Sequence, residues 1–121
     1  MKVGELKNIL NKLDKNKKVV FDFCDCIPTT IDSWRGIYAE PALGWKIHGY
    51  ADTPTVDQLL TELNIATNGK PYGGWKGGLY AFNDDSKLHV DNPGRCSYTE
   101  ISGVDHEGYL VVLLTCYKNY H

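Results

Sequence analysis

Arginine is nearly missing from this 121-residue chain: only Arg35 and Arg95 carry a guanidinium. Thirteen lysines and arginines stand against 15 aspartates and glutamates, for a formal net charge of −2. That balance argues against a protein that coats nucleic acid, because such proteins neutralise many phosphates and need a basic excess or a basic stripe. The one basic cluster, Lys15, Lys17 and Lys18, is accounted for by a solvated helix end. Neither DNA nor RNA is expected as a partner. Long apolar runs are missing too. The longest, Leu110 to Leu114, is strand-sized and far short of a bilayer span. The opening Met-Lys-Val-Gly-Glu-Leu-Lys lacks the apolar core of a secretory signal. The expectation is a cytosolic protein that does not engage a membrane. Cysteine occurs four times, at Cys24, Cys26, Cys96 and Cys116, but not in a metal-binding pattern. Cys-x-Cys is the wrong spacing for a zinc knuckle, and no second pair or His-x-x-x-His follows. The four are read as reduced thiols, and no metal or cofactor is expected.

What is present is the composition of an ordinary globular domain, 42% hydrophobic and 23% charged. Val3, Leu6, Ile9, Leu10 and Leu13 recur at helical spacing, predicting an amphipathic helix that ends near Asp14 to Asn16. Val19 to Cys24 reads as a strand. Pro28 with Thr29-Thr30 suggests a turn, Ser33 to Ala39 a strand that Pro41 interrupts, and Leu43 to Ile47 a further strand or ordered loop. Thr55 and Gln58 have the spacing of a capping box before Val56, Leu59, Leu60, Leu63 and Ala66, and Asn68-Gly69 supplies the stop. Beyond this second helix the character is β: Trp75 to Phe82, Lys87 to Val90, Tyr98 to Val104 and Tyr109 to Tyr117, with turns at Asn83 to Ser86 and Asp91 to Gly94. The uniformly apolar Leu110 to Leu114 predicts a central strand covered on both faces. The expected architecture is a single α+β domain over residues 1–121, a mostly antiparallel β-sheet with two amphipathic helices packed on it.

Three groups of residues point to a small ligand. Lys70-Pro71-Tyr72-Gly73-Gly74-Trp75-Lys76-Gly77-Gly78 places two Gly-Gly pairs around a tryptophan. Such glycines let backbone amides turn towards an anion, although a hinge with Trp75 in the core explains them equally well. The P-loop spacing is absent. The aromatics Trp34, Tyr38, Trp45, Tyr72, Trp75, Tyr80 and Phe82 cluster in the middle of the chain. Flat rings stack on nucleobases, and they also fill β-cores. Arg35 and Arg95 each neighbour a glycine. A guanidinium grips a phosphate through two parallel bonds, against the plain alternative of a surface ion pair. Asp91 and Asn92 can accept from ribose hydroxyls or read a base edge, or simply form the turn before Pro93-Gly94. Catalytic arrangements are weak: His48, His89, His106 and His121 are scattered and fall in no nucleophile or metal motif.

The opening helix, Ser33-Trp34-Arg35-Gly36, Ala42-Leu43-Gly44, Gly69-Lys70 with Trp75-Lys76-Gly77-Gly78, and Val90-Asp91-Asn92 together resemble small phage and prophage proteins. Among these are the Thoeris anti-defence sponges of the first type. The resemblance implies a homo-oligomer with pockets between protomers in the bacterial host cytosol. It would bind and sequester a cyclic ADP-ribose isomer, made by a TIR-domain immune enzyme, without degrading it. Some members of that family also hold cyclic oligonucleotides. The resemblance places a ligand-binding aromatic and asparagine at Phe82 and Asn92. With the residues singled out above, the candidate binding set is Phe82, Asn92, Trp75, Asp91, Arg35, Arg95 and Trp45. An enzyme that cleaves such a nucleotide, or a protein-interaction module using exposed aromatics, are the alternatives.

Overall fold

A computed structural model describes residues 1–47, 50–74, 76–91 and 98–118. Helix α1 spans Val3–Leu10, and α2 spans Val56–Ala66. The strands are β1 (Lys18–Phe21), β2 (Cys26–Ser33), β3 (Pro41–Ile47), β4 (Tyr72–Gly73), β5 (Leu79–Tyr80), β6 (His89–Val90), β7 (Tyr98–Asp105) and β8 (Leu110–Lys118). Six of them form one sheet in the order β1-β8-β7-β6-β3-β2, and β4 and β5 make a separate small hairpin. Pairing is antiparallel except for β1 with β8 and β3 with β6. The fold is the expected α+β class, a mostly antiparallel sheet with two helices. No helix among the described residues is long and apolar enough to cross a membrane.

The sheet is strongly curled, and chain length dictates it. In a flat sheet β1 and β2, at opposite ends of the strand order, would stand about 24 Å apart, five spacings of about 4.8 Å. Only Asp22 to Asp25 link them, and the five residue steps from Phe21 to Cys26 reach about 18 Å at most. The sheet must therefore close on itself, and β1 and β2 are in contact. Cys24 and Asp25 make the reversal with φ of 51° and 50°, two successive left-handed residues without the freedom of glycine. Helix α2 packs on both β1 and β2, so it covers the seam.

The concave side holds the core. Val19 and Phe21 of β1, Val111 and Leu113 of β8, Ile101, Val90, Leu43 and Ile31 are buried together with Val3, Leu6 and Leu10 of α1 and Val56, Leu59, Leu60, Leu63 and Ala66 of α2. At α2 the capping box forms as the sequence predicts: Gln58 N–H donates to Thr55 Oγ1 at 3.2 Å, and Thr55 N–H donates to Gln58 Oε1 at 2.9 Å. The helix ends at Ala66 with Thr67 as its C-cap, and Gly69 at φ +81° turns the chain away two residues later, a conformation that costs glycine little.

Four local expectations are corrected. Helix α1 stops at Leu10, not near Asp14 to Asn16, because the Lys15 ammonium donates to the carbonyls of Leu10, Asn11 and Leu13 and so satisfies the orphan acceptors of a helix end. Pro28 and Thr29-Thr30 lie within β2. This is an edge strand with a bulge between Pro28 and Ile31, where proline's missing N–H is tolerated. Residues 34–40 form the loop between β2 and β3, closed by Trp34 N–H to Glu40 O at 2.8 Å, while Pro41 opens β3 instead of interrupting a strand. Finally, β8 is interior to the sheet but covered on one face only. Val111 and Leu113 are fully buried, whereas Leu110 and Leu114 are 40% and 36% exposed, because both helices lie on the concave side.

Candidate ligand pocket

The strand directions converge on one end of the curled sheet. β1, β8, β6 and β3 run the same way, so their carboxyl ends meet there with the amino ends of β7 and β2. Barrel mouths and carboxyl strand ends are where sheets with such geometry leave room for ligands. A cavity of about 510 Å3 opens there, lined by Phe23, Cys24, Trp45, Ile47, Val90, Asp91, Thr99, Thr115 and Cys116.

Its walls are built from rings and branched carbons. Phe21 and Phe23 stack with centroids 5.0 Å apart, and Phe23 meets Trp45 edge-on at 5.9 Å and 83°. Trp45 projects from the same side of β3 as the buried Leu43, two residues earlier, which carries it to the mouth of the core. Its indole N–H donates to Asp91 O at 2.6 Å, tying β3 to the residue that follows β6. Asp22 stands behind the wall: its carboxylate accepts from Thr115 N–H at 2.9 Å and from the Thr115 hydroxyl at 2.7 Å. This side chain replaces the backbone ladder where β1 ends. Cys24 is exposed and Cys116 half-buried, and both face this space, while Cys26 is buried and donates to Cys24 O. Burial pushes the Cys26 thiol above its ordinary value, with Cys24 and Asp25 adding to the shift.

Of the candidates from sequence, the structure brings Trp45 and Asp91 together at this cavity. Phe82 lies elsewhere: it is 3% exposed, within the core, with its ring 4.9 Å from that of Tyr72. Arg35 belongs to the loop 34–40, at the opposite end of the sheet. Trp75, Asn92 and Arg95 lie outside the described residues, though Asn92 directly follows Asp91 in the chain. Sequence reasoning missed Phe23, Ile47, Thr99 and Thr115. Only the topology could have collected them, because they come from four separate strands or strand ends.

The opposite end carries a second polar cluster. The Trp34 ring lies flat on His89, with centroids 3.6 Å apart and 7° between planes. His89 is 1% exposed, and its Nε2 sits 3.3 Å from Glu40 Oε2. Nδ1 is buried without a partner among the described residues. Glu100, also buried, pairs with the N-terminal ammonium at 3.9 Å. Near the same loop, Tyr38 meets Tyr80 of β5 at 5.9 Å, and a Cβ on Gly74 would come within 2.8 Å of Tyr80 and 3.2 Å of Tyr38. Gly74 thus allows close packing of that turn against the Arg35 loop.

Burial lowers the His89 pKa below its ordinary 6.5, outweighing the hydrogen bond and attraction from Glu40 and the attraction from Glu100, with Lys87 adding to the lowering. The imidazole is therefore neutral in the folded protein at neutral pH. As pH falls through the ordinary histidine range, the unfolded chain takes up a proton that folded His89 does not, so stability declines. Denaturant melts between pH 7.5 and 5.5 are expected to show this loss, and a His89→Gln variant a flatter profile. An identical slope in both would exclude His89 as its source.

No group of three or more metal-ligating side chains occurs among the described residues. Comparison with known protein families, with curated proteins and with solved structures finds no match to this chain.

Proposed function

We propose that the chain is a binding protein that captures a small signalling nucleotide, of the cyclic ADP-ribose isomer class made by TIR-domain immune enzymes, and holds it unchanged. The observation that carries the reading is the cavity at the sheet's end, where Phe23 and Trp45 meet at right angles beside Asp91. A planar base can lie along the indole face with its edge towards Phe23, an arrangement aromatic rings favour. Stacking of this kind contributes about 1–3 kcal/mol per base in single-strand binders. A cavity of about 510 Å3 falls within the range that takes small molecules. The identity of the messenger, the phage setting and an assembly of several copies around it rest on the resemblance of Ser33-Trp34-Arg35-Gly36, Trp75-Lys76-Gly77-Gly78 and Val90-Asp91-Asn92 to the Thoeris anti-defence sponges.

Capture and release test the reading. The protein is incubated with a cyclic ADP-ribose isomer, freed of unbound nucleotide by gel filtration and heated, and the released material is weighed by mass spectrometry. Intact nucleotide in the protein fraction is the expected result. A product of changed mass would make the protein an enzyme, and an empty protein fraction would remove this ligand class.

A further inference from the structure

We propose that the cavity selects rings presenting a hydrogen-bond donor, of the kind an exocyclic amine on a purine supplies, and that Asp91 is the residue that selects them. This rests on the reading of the cavity as a ring site and assigns which edge of the ring enters. Asp91 N–H donates to Leu43 O at 2.8 Å, and Asp91 O accepts from the Trp45 indole at 2.6 Å. The backbone N–H and C=O of this lining residue are thus both engaged, which leaves the carboxylate as its remaining group for a ligand. That carboxylate has no hydrogen bond or ion pair among the described residues, and the residue is half-buried.

Two of the donors on the cavity wall are committed, and the others there, the Thr99 hydroxyl and the Cys24 and Cys116 thiols, carry no positive charge to offset a phosphate. The single N–H of Trp45 points to the Asp91 carbonyl, and the Thr115 hydroxyl hydrogen points to Asp22 Oδ1 at 2.7 Å. What Asp91 and Thr115 retain is accepting capacity, since an ionised carboxylate only accepts and a hydroxyl that has donated still carries lone pairs. Around them stand Phe23, Trp45 and Val90, whose carbon surfaces flank the carboxylate, with the exposed Ile47 at the rim. A ring amine brought against Asp91 makes a charge-assisted bond. A phosphate brought there meets a like charge, with no cationic side chain on the cavity wall to offset it. The ring therefore enters amine-first, and any phosphates of the ligand stay outside the cavity.

The test compares adenosine with purine riboside, which has the same ring and sugar but no amine, and follows the Trp45 indole N–H resonance of the intact protein. Adenosine is expected to bind at least about tenfold more tightly, the lower range for a hydrogen bond to a charged group, and inorganic pyrophosphate to leave the resonance in place. In Asp91→Asn the preference between the two nucleosides is expected to disappear. Equal affinity of the wild-type protein for both nucleosides overturns the role of Asp91 yet leaves the cavity as a ring site. A Trp45 signal that responds to neither nucleoside nor to a cyclic ADP-ribose isomer overturns the ring site as well. The wild-type comparison stands by itself if the variant folds poorly.

Discussion

Phe82→Ala is expected to lower the stability of the domain by about 3–5 kcal/mol, the range for deleting a buried aromatic ring. Phe82 is 3% exposed and packs on Tyr72, the first residue of β4. Its loss leaves a cavity where β4 meets the core, and Tyr72 in turn carries the Lys70 ammonium 4.9 Å above its ring. Against a total stability of roughly 5–15 kcal/mol, such a loss brings much of the population close to unfolding. Urea titration measures it as a lower midpoint at unchanged slope. Phe82→Leu keeps most of the volume and separates packing from ligand contact. A core role predicts a cost of about 1.5 kcal/mol or less with nucleotide capture intact. A stable Leu variant that no longer captures nucleotide would place the ring at the ligand instead.

Trp45→Ala is expected to weaken nucleotide capture by about 10- to 100-fold, the loss of one base stack, while the protein remains folded. Two effects act together. The stacking surface beside Phe23 disappears, and so does the N–H that holds the Asp91 carbonyl at 2.6 Å. Trp45→Phe divides them, since it restores a ring face without the donor. It should recover part of the affinity for any purine but little of the preference for an amine-bearing one. Calorimetric titration of the three proteins checks the order. Capture that survives Trp45→Ala unchanged would detach the cavity from the function altogether.

The legible parts of this sequence were those governed by local rules. The capping box of Thr55 and Gln58 and the Gly69 stop could be placed because each depends on neighbours three or fewer residues away. The end of α1 could not, because a lysine side chain folds back onto three carbonyls where the apolar period alone would run on to Leu13. Pro28 reads as a turn because nothing in the sequence says that β2 is a bulged edge strand, a setting where proline fits a ladder. Leu110 to Leu114 looked buried on both faces, but the pattern of a strand does not tell on which side the helices settle. At the cavity, Trp45 and Asp91 stood out as residue types. That they touch depends on β3 lying parallel to β6, a pairing no short window contains. Phe23 went unnoticed for the same reason, since it follows a strand whose end becomes a cavity wall only when β8 lies alongside.

The parallel pairing of β1 with β8 joins residues 18–21 to residues 110–113. About ninety residues must therefore follow β1 out of the ribosome before it has its partner. During synthesis β1 leaves the ribosome long before Leu110, and until then its Val19 and Phe21 lack the strand beside which they are buried. Non-local closures of this kind fold slowly and leave apolar edges open in the interval. The curl that creates the cavity thus also sets the order of assembly: its mouth cannot be complete until β8 arrives, so a nascent chain stopped short of residue 110 should lack that pocket.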